Sequence, residues 1–208
     1  MIAFNKKTKF DALNYDQLKD QAHLCTNCIL AENRSQVVFG SGPTDADIMI
    51  IGEAPGKQED EQGIPFVGRS GQLLTKILNS VGIDREKDVY IANTVKCRPP
   101  DNRTPTLPEI SACQDFLIRQ IQLIQPRILL LLGTPALKAI LKLTDPISSV
   151  RGNWYTAEVA YMPDLLYIMP LFHPSYLLRH AAKTAGSPKW LTWKDVSEVK
   201  SALDYYRL

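Results

Sequence analysis

Four cysteines constrain this chain more than any other feature. They run Cys25-x2-Cys28-x68-Cys97-x15-Cys113 and are all the cysteine present. Two form a close pair, and two flank a proline-rich loop. A fold that gathers four thiolates on one metal must bring the segment at 25–28 against the segment at 97–113. Structural zinc and iron–sulfur clusters both take four thiolates, so spacing alone leaves the two open.

Compartment bears on that choice. Residues 1–22 mix Lys, Asp and Asn with apolar positions and hold no signal-like core. The longest aliphatic run, Ile128 to Leu132, falls far short of the roughly 20 apolar residues of a membrane span. A cytoplasmic protein with no membrane contact is expected, and there four cysteines favour metal over disulfides. The net charge of +2 neither demands nor excludes nucleic acid; a binding face must come from local clustering.

The hydrophobic pattern alternates between strand and helix. Asp47-Ile-Met-Ile-Ile51, Val89-Tyr-Ile-Ala-Asn93, Arg127-Ile-Leu-Leu-Leu-Leu132 and Leu166-Tyr-Ile-Met-Pro170 read as buried strands. Helices are predicted over 10–24, over 71–81, from Pro108 to about Ile124, from Gly133, and from Thr192 with Asp195 as a capping partner. Residues 97–108 carry four prolines and must be loop. The expected fold is a three-layer α/β/α sandwich with a mainly parallel sheet of about four strands. It forms a single domain over 1–208, with residues 1–12 as a loosely ordered extension. A monomer is expected.

In such sheets ligands bind beyond the carboxyl ends of the strands. Three polar sequences fall there. Gly52-Glu53-Ala54-Pro55-Gly56 is a turn whose glycines allow close backbone approach and whose carboxylate suits a base or a water ligand. It is neither a P-loop nor a dinucleotide fingerprint. Asn93 carries a donor and an acceptor, the pair that matches the N3–H and O4 of uracil and mismatches cytosine. His173-Pro-Ser-Tyr-Leu-Leu-Arg179 offers a histidine donor for developing negative charge, then Ser175 and Arg179 for phosphates, and Tyr176 or Leu177 as a wedge in a base stack. Phe66, in Pro65-Phe-Val-Gly68, suits stacking under a flat heterocycle. Lys96, Arg98, Arg103, Arg151, Arg179 and His180 bracket the same rim as a weakly basic DNA face. Taken singly, each residue also has an ordinary structural explanation.

Together these motifs resemble the iron–sulfur, family 4 uracil-DNA glycosylases. The four-cysteine spacing, Gly-Glu-Ala-Pro-Gly, Pro-Phe-Val-Gly-Arg-Ser-Gly-Gln-Leu-Leu, Asn93 four residues before Cys97, and His-Pro-Ser-Tyr-Leu-Leu-Arg match in order and spacing from about Leu24 to about Tyr205. The resemblance implies a [4Fe–4S] cluster on Cys25, Cys28, Cys97 and Cys113. It implies excision of uracil from DNA, with Glu53 and His173 catalytic and a uracil site of Gly52, Glu53, Ala54, Glu59, Phe66, Asn93 and His173. Glu59 matches a position tied to exclusion of the thymine methyl. Ser175, Tyr176, Leu177, Arg179 and Arg98 are the expected DNA contacts. No histidine lies between Cys97 and Cys113, unlike relatives that trap uracil-DNA covalently, so turnover is expected. No lysine matches a lyase nucleophile. The competing readings are a non-catalytic, zinc-stabilised nucleic-acid-binding module and a redox protein using Cys25-x2-Cys28.

Overall fold

Four continuous apolar runs become four parallel strands, because each strand buries both of its faces. The computed structural model describes Phe4, Asn5, residues 7–180 and residues 182–206. In chain order the elements are α1 (Tyr15–His23), β1 (Ile48–Gly52), α2 (Lys57–Gln62), α3 (Arg69–Asn79), α4 (Arg85–Asp88) and β2 (Val89–Asn93). There follow α5 (Leu107–Ile124), β3 (Ile128–Leu132), α6 (Gly133–Leu141), α7 (Ile147–Val150), β4 (Tyr155–Ala157), β5 (Leu166–Leu171), α8 (Pro174–Leu178) and α9 (Pro188–Tyr206). Among the described residues the sheet has five strands in the order β2-β1-β3-β5-β4. The first three pairings are parallel; β4 lies antiparallel on β5 at the edge.

Alternate side chains of each strand feed two cores. Met49, Ile51, Leu129 and Leu131 pack with Leu117 and Ile121 of α5 and Leu137 and Ile140 of α6. Ile48, Ile50, Leu130 and Met169 pack with Leu74 and Leu78 of α3 and Val196, Val199 and Leu203 of α9. This is the expected three-layer sandwich. A third cluster, at one end, joins α1 to α5 around Leu18, Val95 and Phe116, and it contains Cys97 and Cys113.

Two expectations need correction, and a third lies partly beyond the described residues. The sheet has a fifth strand, because Tyr155-Thr-Ala157 pairs through backbone without an apolar run. The last helix starts at Pro188, not Thr192. The Thr192 hydroxyl donates back to the Pro188 carbonyl inside that helix, and Asp195 is buried in an ion pair with Arg151. The proposed looseness of 1–12 falls partly outside the described residues (1–3 and 6). Within them Phe4 is fully buried beside Val159, and the Phe10 ring stacks on Phe116 at 4.4 Å.

No described helix is long and apolar enough to cross a membrane.

Candidate active site

The strand order reverses between β1 and β3, and the crevice beyond that switch point holds the polar motifs. A cleft of about 460 Å³ opens there. Glu53, Ala54, Glu59, Phe66, Asn93 and His173 all line it, although they are far apart in sequence. Gly52 is not among the lining residues but stands directly behind Asn93 and Phe66. It pairs in register with Asn93, and a side chain there would meet Asn93 Oδ1 and, at 2.6 Å, the Phe66 ring.

Asn93 is held from three directions. Thr94 N–H donates to the Gly52 carbonyl at 3.0 Å, and the Thr94 hydroxyl to the Glu53 carbonyl at 2.5 Å. Lys96 Nζ donates to the Asn93 carbonyl at 3.0 Å. The Asn93 side chain, by contrast, has a buried Oδ1 without any partner. A stranded buried acceptor costs about 1–3 kcal/mol, which a donor entering the cleft would recover.

Phe66 sits in the left-handed region at φ 54°, a conformation that costs a non-glycine residue roughly 1–2 kcal/mol. Two clamps hold it there. Glu59 accepts from the Val67 and Gly68 N–H groups at 3.0 and 2.9 Å. Arg85 donates to the Pro65 and Phe66 carbonyls, both at 2.8 Å, and to the Thr75 hydroxyl at 3.0 Å. The ring lies 5.8 Å from His173, centroid to centroid.

His173 caps α8. Its Nδ1 accepts the Ser175 N–H at 3.1 Å and stands 2.8 Å from the Ser175 hydroxyl. An accepting Nδ1 leaves the ring proton on Nε2. Burial, and then the Arg179 cation, push the ring's pKa down to about 4. The imidazole is therefore neutral at pH 7 and a donor through Nε2. Gly133, at φ +82°, stands beside His173, and a Cβ there would come within 3.0 Å of the His173 Cβ.

Several predicted contacts sit elsewhere than expected. Leu177 is wholly buried, so it cannot wedge into DNA from this position; its neighbour Leu178 is 39% exposed. The Tyr176 ring is engaged between Phe172 at 5.0 Å and His180 at 4.2 Å. Arg98 does not line the cleft but bonds Asn102 at 2.8 Å, whereas Arg103 does line it, braced by Glu109. That brace holds the Glu109 carboxyl down at about 2. Lys96 is buried rather than on the rim, and Arg151 is tied to Asp195. Arg69 and Ser70, at the first turn of α3, line the cleft and carried no role in the sequence reading. Their place just after the Phe66 turn was the available signal.

The four cysteines belong to one packed cluster at the α1–α5 end. Cys97 and Cys113 are buried, with Cys25 and Cys28 half-buried against them in one cluster. Among the described residues no three His, Cys, Asp or Glu side chains are drawn to metal-binding distance. The surroundings nevertheless fit a thiolate set. Arg34 donates to Cys97 Sγ at 3.3 Å and to the Cys25 carbonyl at 2.8 Å, and the buried Lys96 lies beside Cys97 and Cys113. Two cations against four thiols suit a centre of net negative charge. Burial, only partly offset by Lys96, pushes the Cys113 thiol up to about 11, a preference that a bound metal would reverse.

Comparison with known proteins agrees with this geometry. Residues 39–197 match the uracil DNA glycosylase superfamily. A type-4 uracil-DNA glycosylase of Thermotoga maritima is 43% identical over 188 residues, covering 88% of this chain and 92% of its own length. The type-4 enzyme of Pyrobaculum aerophilum is 40% identical over 174 residues, covering 82% and 87%. That of Saccharolobus solfataricus is 42% identical over 170 residues, covering 79% and 77%. A cleft walled by phenylalanine, asparagine and a neutral histidine, with this kinship along nearly the whole chain, makes the protein a member of the uracil-DNA glycosylase superfamily, in its type-4 branch.

Proposed function

We propose that the chain, acting as one domain and as a monomer, removes uracil from DNA by hydrolysis, leaving free uracil and an abasic site. The observation that carries this reading is the buried, unpartnered Asn93 Oδ1 beside Phe66 and His173. A deoxyuridine leaves the base stack at a cost of a few kcal/mol, least when mispaired. Its ring lies on Phe66. Asn93 accepts from N3–H and donates to O4. As the N-glycosidic bond breaks, its electron pair moves onto the base, and His173 Nε2–H donates to the charge building on O2. Glu53 positions the water whose oxygen bonds to C1′; the water's proton ends on the base. Glu59 serves twice, bracing the Phe66 turn and crowding the methyl of thymine.

Arg69, Ser70, Ser175, Arg103 and Arg179 supply phosphate contacts, with Arg98 bracing their loop through Asn102. Leu178 replaces Leu177 as the wedge. Lys57, which lines the cleft, is exposed and paired with Glu61 at 3.8 Å. It is not the desolvated amine that a strand-cleaving step needs, so the enzyme is monofunctional. Cys25, Cys28, Cys97 and Cys113 would hold a [4Fe–4S] cluster. When bound, it would cross-link the 25–28 segment to the 97–113 loop.

Single-turnover release from a U:G duplex, with T:G as control and protein purified without oxygen, tests the reading. Release from U:G alone, by a brown protein containing iron, is expected. Intact DNA binding without release from either duplex would return the assignment to a binding module. The pH profile gives a second check. Because His173 stays neutral down to about 4 against an ordinary 6.5, release shows no break near 6.5 and falls only as pH drops through about 4. Over that same window the unfolded chain takes up a proton that the folded site refuses, so stability declines on acidification.

A further inference from the structure

Beside the catalytic cleft lies a second groove of about 380 Å³, enclosed by α3, α8 and the start of α9. Leu73, Ile77 and Leu177 give it an apolar floor. Trp190 and Trp193 form a wall, and Trp193 is 50% exposed. Lys76, Lys183 and Lys189 stand around it, and no carboxylate lines it. None of these lysines is in an ion pair with a described residue.

The groove shares its walls with the cleft. On α3, Ser70 lines the cleft and Leu73 lines the groove, an axial step of about 4.5 Å. On α8, Ser175 lines the cleft and Leu177 the groove. The two depressions thus adjoin along α3 and α8, so a strand leaving the cleft can pass into the groove. Indole faces accept any base, and unpaired lysines follow phosphates; that combination is the chemistry of single-strand binding. An acidic amphipathic helix would meet the same charges. DNA is favoured because the groove continues from the cleft that takes the flipped nucleotide.

We infer that this groove holds the nucleotides flanking the flipped deoxyuridine when the substrate is single-stranded, with Trp193 as the stacking face and Lys76 and Lys189 as phosphate contacts. The inference rests on the glycosylase reading above. It makes the protein's grip on single strands depend on residues outside the uracil pocket.

The test compares Trp193→Ala, and separately Lys76→Glu with Lys189→Glu, against the unaltered protein. The substrates are a U:G duplex, whose flanking nucleotides stay paired, and a long single strand with one central uracil. For the long strand, the half-saturating concentration should rise about tenfold in either variant, within the range expected for loss of one stacked base. The maximal rate, and release from the duplex, should not change. A uracil-free single strand should quench tryptophan fluorescence in the unaltered protein, and the quench should shrink in Trp193→Ala. Unchanged half-saturation in both variants overturns the inference, as does equal loss on the duplex. Quenching by an acidic amphipathic peptide but not by DNA also overturns it, in favour of a protein partner. No uracil release by the unaltered protein would sink the glycosylase reading instead, and the quenching titration would still decide the groove.

Discussion

Replacing His173 by Ala should lower the single-turnover rate of uracil release by about 10²–10³-fold, the usual cost of removing one donor to a developing oxyanion. Affinity for uracil-containing DNA should change little, because the loss belongs to the transition state and not to the bound ground state. The structure gives a specific reason for the size of this effect. Ser175 N–H occupies Nδ1 and fixes the ring proton on Nε2, while burial keeps the ring uncharged. A neutral donor in a dry site needs no reorganisation as charge appears on the base. His173→Gln retains a donor but not its anchoring by Ser175, and should recover part of the rate. Unimpaired release by His173→Ala would end the catalytic assignment.

Gly52→Ala should be nearly as damaging, by a different route. The new methyl would meet Asn93 Oδ1 and, at 2.6 Å, the Phe66 ring. The backbone on either side cannot yield, because that of Asn93 is fixed by Lys96 and that of the Phe66 turn is clamped by Glu59 and Arg85. Relief has to come from the Asn93 amide and the Phe66 ring, the two groups that hold the base. Displacing reacting groups by about 1 Å costs on the order of 100-fold in rate. Excision should fall by at least that much while binding of uracil-free DNA persists, which gel-shift and single-turnover assays would separate. Near-normal excision by Gly52→Ala would mean that Asn93 and Phe66 do not together hold the base.

The sequence was most informative where geometry is local. The four parallel strands stood out because strands buried on both faces read as unbroken apolar runs. Their carboxyl ends placed Glu53, Asn93 and His173 on one rim by topology alone. Long-range packing was not legible. Lys96 sits in a polar stretch next to Arg98 and Pro99, and only the folding of residues 25–39 over it makes it a buried cation. Leu177 and Leu178 are equivalent in sequence; the direction in which α8 lies on α3 separates them. Thr192 and Asp195 have the spacing of a helix cap, but Asp195 answers Arg151, 44 residues away. Arg85 gave no signal at all, since its task is set by the carbonyls of a turn 20 residues earlier.

The left-handed backbone at Phe66 has a wider meaning. Its ring is set in place before any base arrives, held through the backbone of its turn by Arg85 and Glu59. A site so finished in advance has no shape to learn from its ligand. It therefore gathers no information about a base still paired within the helix. What reaches it depends on how readily each base leaves its stack and on how well the wedge prises it out. Loosely paired uracil opposite guanine reaches inspection sooner than uracil opposite adenine, so lesion priority is set partly by the DNA itself.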